Sequence, residues 1–115
     1  FERVIHHEVF HIIYLQYKEI FNDEEWMKFN NSKFKYAECS TCTKKIGLKK
    51  YNKTEGFFTE YSKSTASEDM AEVYSHIIYL KKDEINKIRK LDPILRNKIL
   101  YIKNKVKIID SSFVF

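Results

Sequence analysis

The sequence predicts a mainly α fold, and three observations carry that expectation. The chain has 115 residues with only two Gly and one Pro, which suits long helices joined by short connections. A hydrophobic fraction of 43% and an aromatic fraction of 16% fit a chain that packs a core rather than one that stays disordered. Apolar residues recur at helical spacing in several stretches, and helix start signals stand where those stretches begin. At this length the expectation is one domain, residues 1–115, with a single modest core.

The elements follow in order. Residues 2 to about 21 read as a first helix. Val4, Ile5, Ile12, Ile13, Leu15, Ile20 and Phe21 place apolar side chains on more than one face, as in a helix deep within a domain. Asn22-Asp23 breaks it, with Asp23 placed to cap a short helix through Trp26 to Phe29. From Asn30 to Thr65 periodicity is poor, with a short extended piece expected at Phe57 to Tyr61. Thr65-Ala66-Ser67-Glu68 has the form of a capping box and opens a second clear helix, running through Met70, Val73, Tyr74 and Ile77 to about Lys82. Asp83 begins a short helix with Ile85, Ile88 and Leu91. Asp92-Pro93 restarts the chain as N-cap and first helical residue, and Leu95, Ile99, Ile102 and Val106 follow at helical spacing. Lys107 to Phe115 suit a strand or a docked tail.

The net charge is +5, and the basic excess is concentrated between Lys81 and Lys107. A solvated face on two amphipathic helices is the plain account; a surface for nucleic acid or anionic lipid is the alternative. No run of about 18 apolar residues provides a transmembrane helix. The chain shows no signal-peptide pattern and begins abruptly at Phe1, which reads as a piece of something longer and leaves its location open. Cys39-Ser40-Thr41-Cys42 is a lone C-x-x-C, open to a disulfide, half a metal site or two reduced thiols, the last being the default.

Five residues near the start carry the most chemistry. His7-Glu8-Val9-Phe10-His11 reads H-E-x-x-H, which on a helix sets His7 and His11 one turn apart on one face. Two imidazoles held that way can grip one side of a tetrahedral Zn²⁺ ion, and Glu8 then stands beside the metal, where it can take a proton from water. A catalytic zinc needs a third protein ligand, with the fourth position left for water. Glu68, Asp69 and Glu72 on the second clear helix are the candidates. Glu68 and Glu72 are again four apart, so one can bind the metal while the other hydrogen-bonds a ligating imidazole and fixes its tautomer. His6 points away from His7, and His76 lies one turn beyond Glu72, where pairing with Glu72 is the plain alternative to a role for either residue at the site. Together these residues point to zinc-dependent hydrolysis of a polypeptide substrate.

Tyr61 precedes Glu68 by seven residues and Glu72 follows it by four, giving Tyr-x6-Glu-x3-Glu after an H-E-x-x-H helix. That arrangement resembles the catalytic domain of anthrax lethal factor and the related clostridial Pro-Pro endopeptidases, over roughly residues 1–21 and 57–80. The resemblance implies a zincin-like metallopeptidase with His7, His11 and Glu68 as zinc ligands and Glu8 as general base. It further implies that Tyr61 donates to the oxyanion and that Glu72 stands behind the ligands. Members of that family carry a mixed β-sheet ahead of the metal helix, whose edge strand aligns the substrate. This chain has no such segment, so the expected fold is a helical zincin core lacking most of the N-terminal sheet. Two rivals remain: an inactive remnant holding a structural zinc, and a small basic helical module binding nucleic acid or an acidic partner.

Overall fold

Five α-helices and one 3₁₀ turn organise residues 1–37 and 55–112, which the computed structural model describes. They are α1 (Glu2–Gln16), α2 (Asp23–Met27), the turn Tyr61–Lys63, α3 (Ala66–Tyr79), α4 (Lys82–Leu91) and α5 (Pro93–Ile109). No strand occurs among the described residues, and the fold is mainly α, as the sequence leads one to expect. The Cys39 to Cys42 segment lies outside the described residues.

α3 is the central element. It packs along α1 on one side and against α5 on another, with α2 touching it and α4 lying on α5. Every residue from Glu68 to Ile77 is buried, so the helix presents core on all sides. Phe10 of α1, Trp26 of α2 and Met70, Val73, Ile99 and Ile102 of α3 and α5 are wholly or almost wholly excluded from solvent. Caps explain where the helices start. Thr65 Oγ1 accepts from the Glu68 N–H at 3.1 Å, Asn22 Oδ1 from Glu25 at 3.0 Å and Asp92 Oδ1 from Leu95 at 2.9 Å.

Four sequence expectations are corrected. α1 stops at Gln16 rather than near residue 21, because Tyr17 to Ile20 turn the chain so that Phe21 packs edge-on against Phe10, 5.2 Å between ring centres. The cap of α2 is Asn22, and Asp23 is its first helical residue. Phe57 to Tyr61 is bent rather than extended: Phe58 stacks on His76 at 4.2 Å and the 3₁₀ turn follows. Lys107 to Ile109 continue α5 instead of forming a strand. The burial of α1 also differs from its apolar pattern. Arg3, His7 and Phe10 are its buried residues, while Ile5, Ile12 and Leu15 are exposed.

The segment leading into the site is tied to α5. Gly56 adopts φ 96°, a left-handed conformation, and a Cβ there would stand 2.6 Å from Ile94 Cγ2. Its N–H donates to Asp92 Oδ2 at 2.8 Å and its carbonyl accepts from Lys98 Nζ at 2.7 Å. Lys98 also donates to Asp69 Oδ2 at 2.8 Å, and that oxygen accepts from Tyr36 (2.6 Å) and Trp26 Nε1 (3.1 Å) as well. Burial pulls Asp69 up and Lys98 down in pKa, each opposed by the other's charge. Among the late basic residues Lys98 is wholly buried, whereas Lys81, Lys82, Lys87, Lys90, Arg96 and Lys107 are exposed.

Candidate metal centre

The 3.6-residue period puts Arg3, His7 and His11 in one row along α1, and Glu68 and Glu72 in one row along α3. Packing of α1 on α3 sets the two rows face to face. Nε2 of His7 and Nε2 of His11 approach to 3.1 Å. Glu68 Oε1 lies 3.0 Å from the first and 2.5 Å from the second. Two imidazole nitrogens and one carboxylate oxygen therefore converge on a single point. The capping-box expectation is half met as a result: Thr65 caps the helix, but the Glu68 side chain turns to the histidines.

A ligand face around tetrahedral zinc, with bonds of about 2.0–2.1 Å, has edges of roughly 3.3 Å. Two of the three observed separations, 3.1 and 3.0 Å, lie near that value, and the third, at 2.5 Å, is tighter. The donor types are those zinc takes, so the residues present fit the metal.

Behind His7 stands Glu72. Its Oε2 accepts from His7 Nδ1 at 2.7 Å and from Arg3 Nη1 at 2.8 Å, and its Oε1 accepts from Thr59 Oγ1 at 2.7 Å. The carboxylate is fully enclosed and engaged on both oxygens. With Nδ1–H donated to Glu72, Nε2 is the His7 nitrogen turned to the point shared with His11 and Glu68, available to a metal once its proton is displaced. Burial alone would lower the His7 pKa, but hydrogen bonds to Glu68 and Glu72 outweigh it and raise it to about 9. Burial likewise opposes ionisation of Glu68, yet hydrogen bonds from His11, His7 and Tyr61 hold it well below the usual carboxylate range. Glu72 is also lowered against its burial, by His7, Thr59 and the Arg3 charge.

The remaining sequence candidates fall around this centre. Glu8 is exposed, with Oε1 4.0 Å from His7 Nε2, and ligand atoms of His7, Glu8 and His11 lie within 4.8 Å of one another. The His11 side chain retains 28% of its exposure, so the cluster opens to solvent on the side where Glu8 stands. Tyr61 reaches the cluster from the 3₁₀ turn, its hydroxyl donating to Glu68 Oε2 and its ring centre 5.8 Å from that of His7. Ser62 N–H bonded to Thr59 Oγ1, and Ser64 Oγ bonded to the Tyr61 carbonyl, shape that turn.

Asp69 is not part of the centre. It faces the opposite side of α3 and pairs with Lys98, leaving Glu68 and Glu72 on the α1 side. His76 does not pair with the Glu72 carboxylate either; its Nδ1 donates to the Glu72 carbonyl at 2.7 Å, and burial lowers its pKa to about 4. His6 is half-buried and off the His7–His11 row.

Residues 1–112 match the family described as "Putative zinc-binding metallo-peptidase". The chain belongs to this family. No curated protein and no solved structure matches the chain. Membership in a zinc-binding metallopeptidase family agrees with a donor set suited to zinc, and it makes a polypeptide the expected kind of substrate. No helix among the described residues is long and apolar enough to cross a membrane.

Sequence reasoning missed two members of this polar cluster, Arg3 and Thr59. Arg3 carried a usable signal, since it stands one turn before His7 on the same face. Thr59 carried none, because it comes from an aperiodic segment whose path depends on the Gly56 anchor.

Proposed function

We propose that this chain is a zinc-dependent peptidase that hydrolyses peptide bonds, with His7, His11 and Glu68 as the metal ligands. The observation that carries the reading is the convergence of the two Nε2 atoms and Glu68 Oε1 within 3.1 Å of one another. Bound zinc supplies a Lewis acid that polarises a peptide carbonyl and lowers the pKa of water. Glu8 takes the proton from the attacking water and passes it to the leaving amine, a role its exposed position beside His7 supports. Tyr61 supplies the donor for the oxyanion. Glu72 orients His7. On this reading residues 1–115 form one catalytic domain or part of one, and the closer likeness to the lethal factor and Pro-Pro endopeptidase group belongs to the same proposal.

A second reading, zinc held for structure without turnover, draws on one observation. No strand among the described residues offers an edge along which a substrate backbone could pair. The two readings part on Glu8. Zinc-loaded wild type and Glu8→Gln are compared on a quenched-fluorescence peptide library, with zinc content measured in parallel. The catalytic reading expects zinc in both and turnover lowered about 10²–10⁴-fold in the variant. Equal turnover in both would overturn the role of Glu8, and absent turnover in wild type would favour the structural zinc.

A further inference from the structure

The polar row on α1 begins one turn before the histidines, at Arg3. Arg3 and His7 share one acceptor: Glu72 Oε2 receives Arg3 Nη1 at 2.8 Å and His7 Nδ1 at 2.7 Å. Thr59 Oγ1 holds the other oxygen at 2.7 Å, and Ser75 Oγ lies 3.4 Å from the same Arg3 nitrogen. All four partners are buried, and the Glu72 side chain is completely enclosed. We propose that Arg3 is a positioning residue of the metal centre: with Thr59 it pins the Glu72 carboxylate against His7 Nδ1 and thereby keeps His7 Nε2 turned to the metal.

A carboxylate at the end of a glutamate side chain rotates about its last bonds unless donors fix its plane. Arg3 approaches from the first turn of α1 and Thr59 from the segment before α3, so the two donors fix different oxygens from different elements. An imidazole likewise has two orientations about its Cβ–Cγ bond, which exchange Nδ1 with Cδ2 and Nε2 with Cε1. In the observed orientation Nδ1 meets Glu72 and Nε2 meets the point shared with His11 and Glu68; the flipped ring would present carbon to both. Fixing Glu72 therefore selects the ring orientation that leaves a nitrogen for the metal. Arg3 does this without touching the ligand point itself. Its planar fork, unlike a lysine ammonium, holds a defined direction at the carboxylate.

The inference rests on the zinc reading above, and the test separates the two. Zinc affinity is measured on the full chain by chelator competition for wild type, Arg3→Met, Arg3→Lys, Thr59→Val and Glu68→Ala. In the zinc-loaded proteins, ¹⁵N imidazole spectra report which His7 nitrogen carries its proton and how fast that proton exchanges. Arg3→Met is expected to weaken zinc binding about 10–100-fold and to lose the slowly exchanging Nδ1 proton, with partial recovery in Arg3→Lys. Should Arg3→Met fail to fold, Thr59→Val keeps Arg3 in place and is expected to weaken zinc several-fold while speeding the same proton exchange. Affinity within about threefold of wild type in Arg3→Met, or in Thr59→Val where that is the folded variant, overturns the proposal. If Glu68→Ala loses zinc in that case, the zinc reading stands without it. A wild-type chain that takes up no zinc overturns both.

Discussion

Lys98→Met roughly preserves the apolar stem of a fully buried side chain but removes its terminal ammonium group, with its charge and its hydrogen-bond donors. In the native chain Lys98 Nζ serves Asp69 Oδ2 at 2.8 Å and the Gly56 carbonyl at 2.7 Å, with neither Lys98 nor Asp69 exposed at all. The substitution leaves the Asp69 carboxylate enclosed with Tyr36 and Trp26 as its remaining donors among the described residues, where its Oδ1 has no partner. Removing one member of a buried pair costs about 3–5 kcal/mol, and orphaning the Gly56 carbonyl adds about 1 kcal/mol. A domain of this size is stable by only roughly 6–17 kcal/mol, so the loss is a large share of the total. With an unfolding entropy of about 2.1 cal/mol/K per residue, 4 kcal/mol corresponds to a fall in Tm of roughly 17 °C. The assay is urea unfolding followed by circular dichroism, with chelator present so that metal does not contribute. Asp69→Asn combined with Lys98→Met keeps an acceptor for Tyr36 and Trp26 without a stranded charge, and should return to within about 2 kcal/mol of wild type. A loss below about 1 kcal/mol in Lys98→Met would refute the reasoning, since Asp69 could not then be carrying a buried charge.

Further outcomes follow from the same contacts. The metal-free chain should be most stable near pH 6.5 and decline on both sides. His76 is lowered to about 4, so its stabilising neutrality is intact above the unfolded value and is lost as pH falls from about 6.5 towards 4. His7 is raised to about 9, so the contribution of its charged form is complete below about 6.5 and is lost as pH rises towards 9. Each side amounts to about 3 kcal/mol, readable by urea titration across pH, and zinc, which takes the place of the His7 proton, should abolish the alkaline decline. Phe10→Ala, at a site with no exposure, should cost about 3–5 kcal/mol in the same unfolding assay. Thr65→Ala removes the α3 cap and should cost about 1 kcal/mol, with a weaker zinc affinity because Glu68 occupies the capped turn. Saturating wild type with zinc at about 100 times its Kd should raise stability by about 2.7 kcal/mol.

How far the sequence could be read differed along the chain. α3 and α5 were legible because Thr65 and Asp92-Pro93 are local start signals that tertiary contacts did not override, whereas α4 starts at Lys82, with Lys81 as N-cap, rather than at Asp83. The end of α1 was not, since nothing local stops a helix at Gln16; the pull of Phe21 towards Phe10 does. The exposure of Ile5, Ile12 and Leu15 could not be foreseen from apolar periodicity, because the face of α1 turned to α3 is given to Arg3 and His7 by the Glu72 carboxylate. At the site, spacing alone paired His7 with His11 and Glu68 with Glu72, while their meeting across two helices comes from the packing of α1 on α3. The residues alone left Glu68, Asp69 and Glu72 open and only the resemblance singled out Glu68; the Lys98 contact shows where Asp69 faces.

Zinc content per chain, in purified wild type, Glu68→Ala and Glu72→Ala, tests the account most directly. The account predicts one zinc per wild-type chain, none retained by Glu68→Ala after dialysis, and weakened but measurable zinc in Glu72→Ala. Wild-type protein that neither carries zinc nor takes it up on addition would contradict it, as would a Glu68→Ala chain that holds zinc as firmly as wild type.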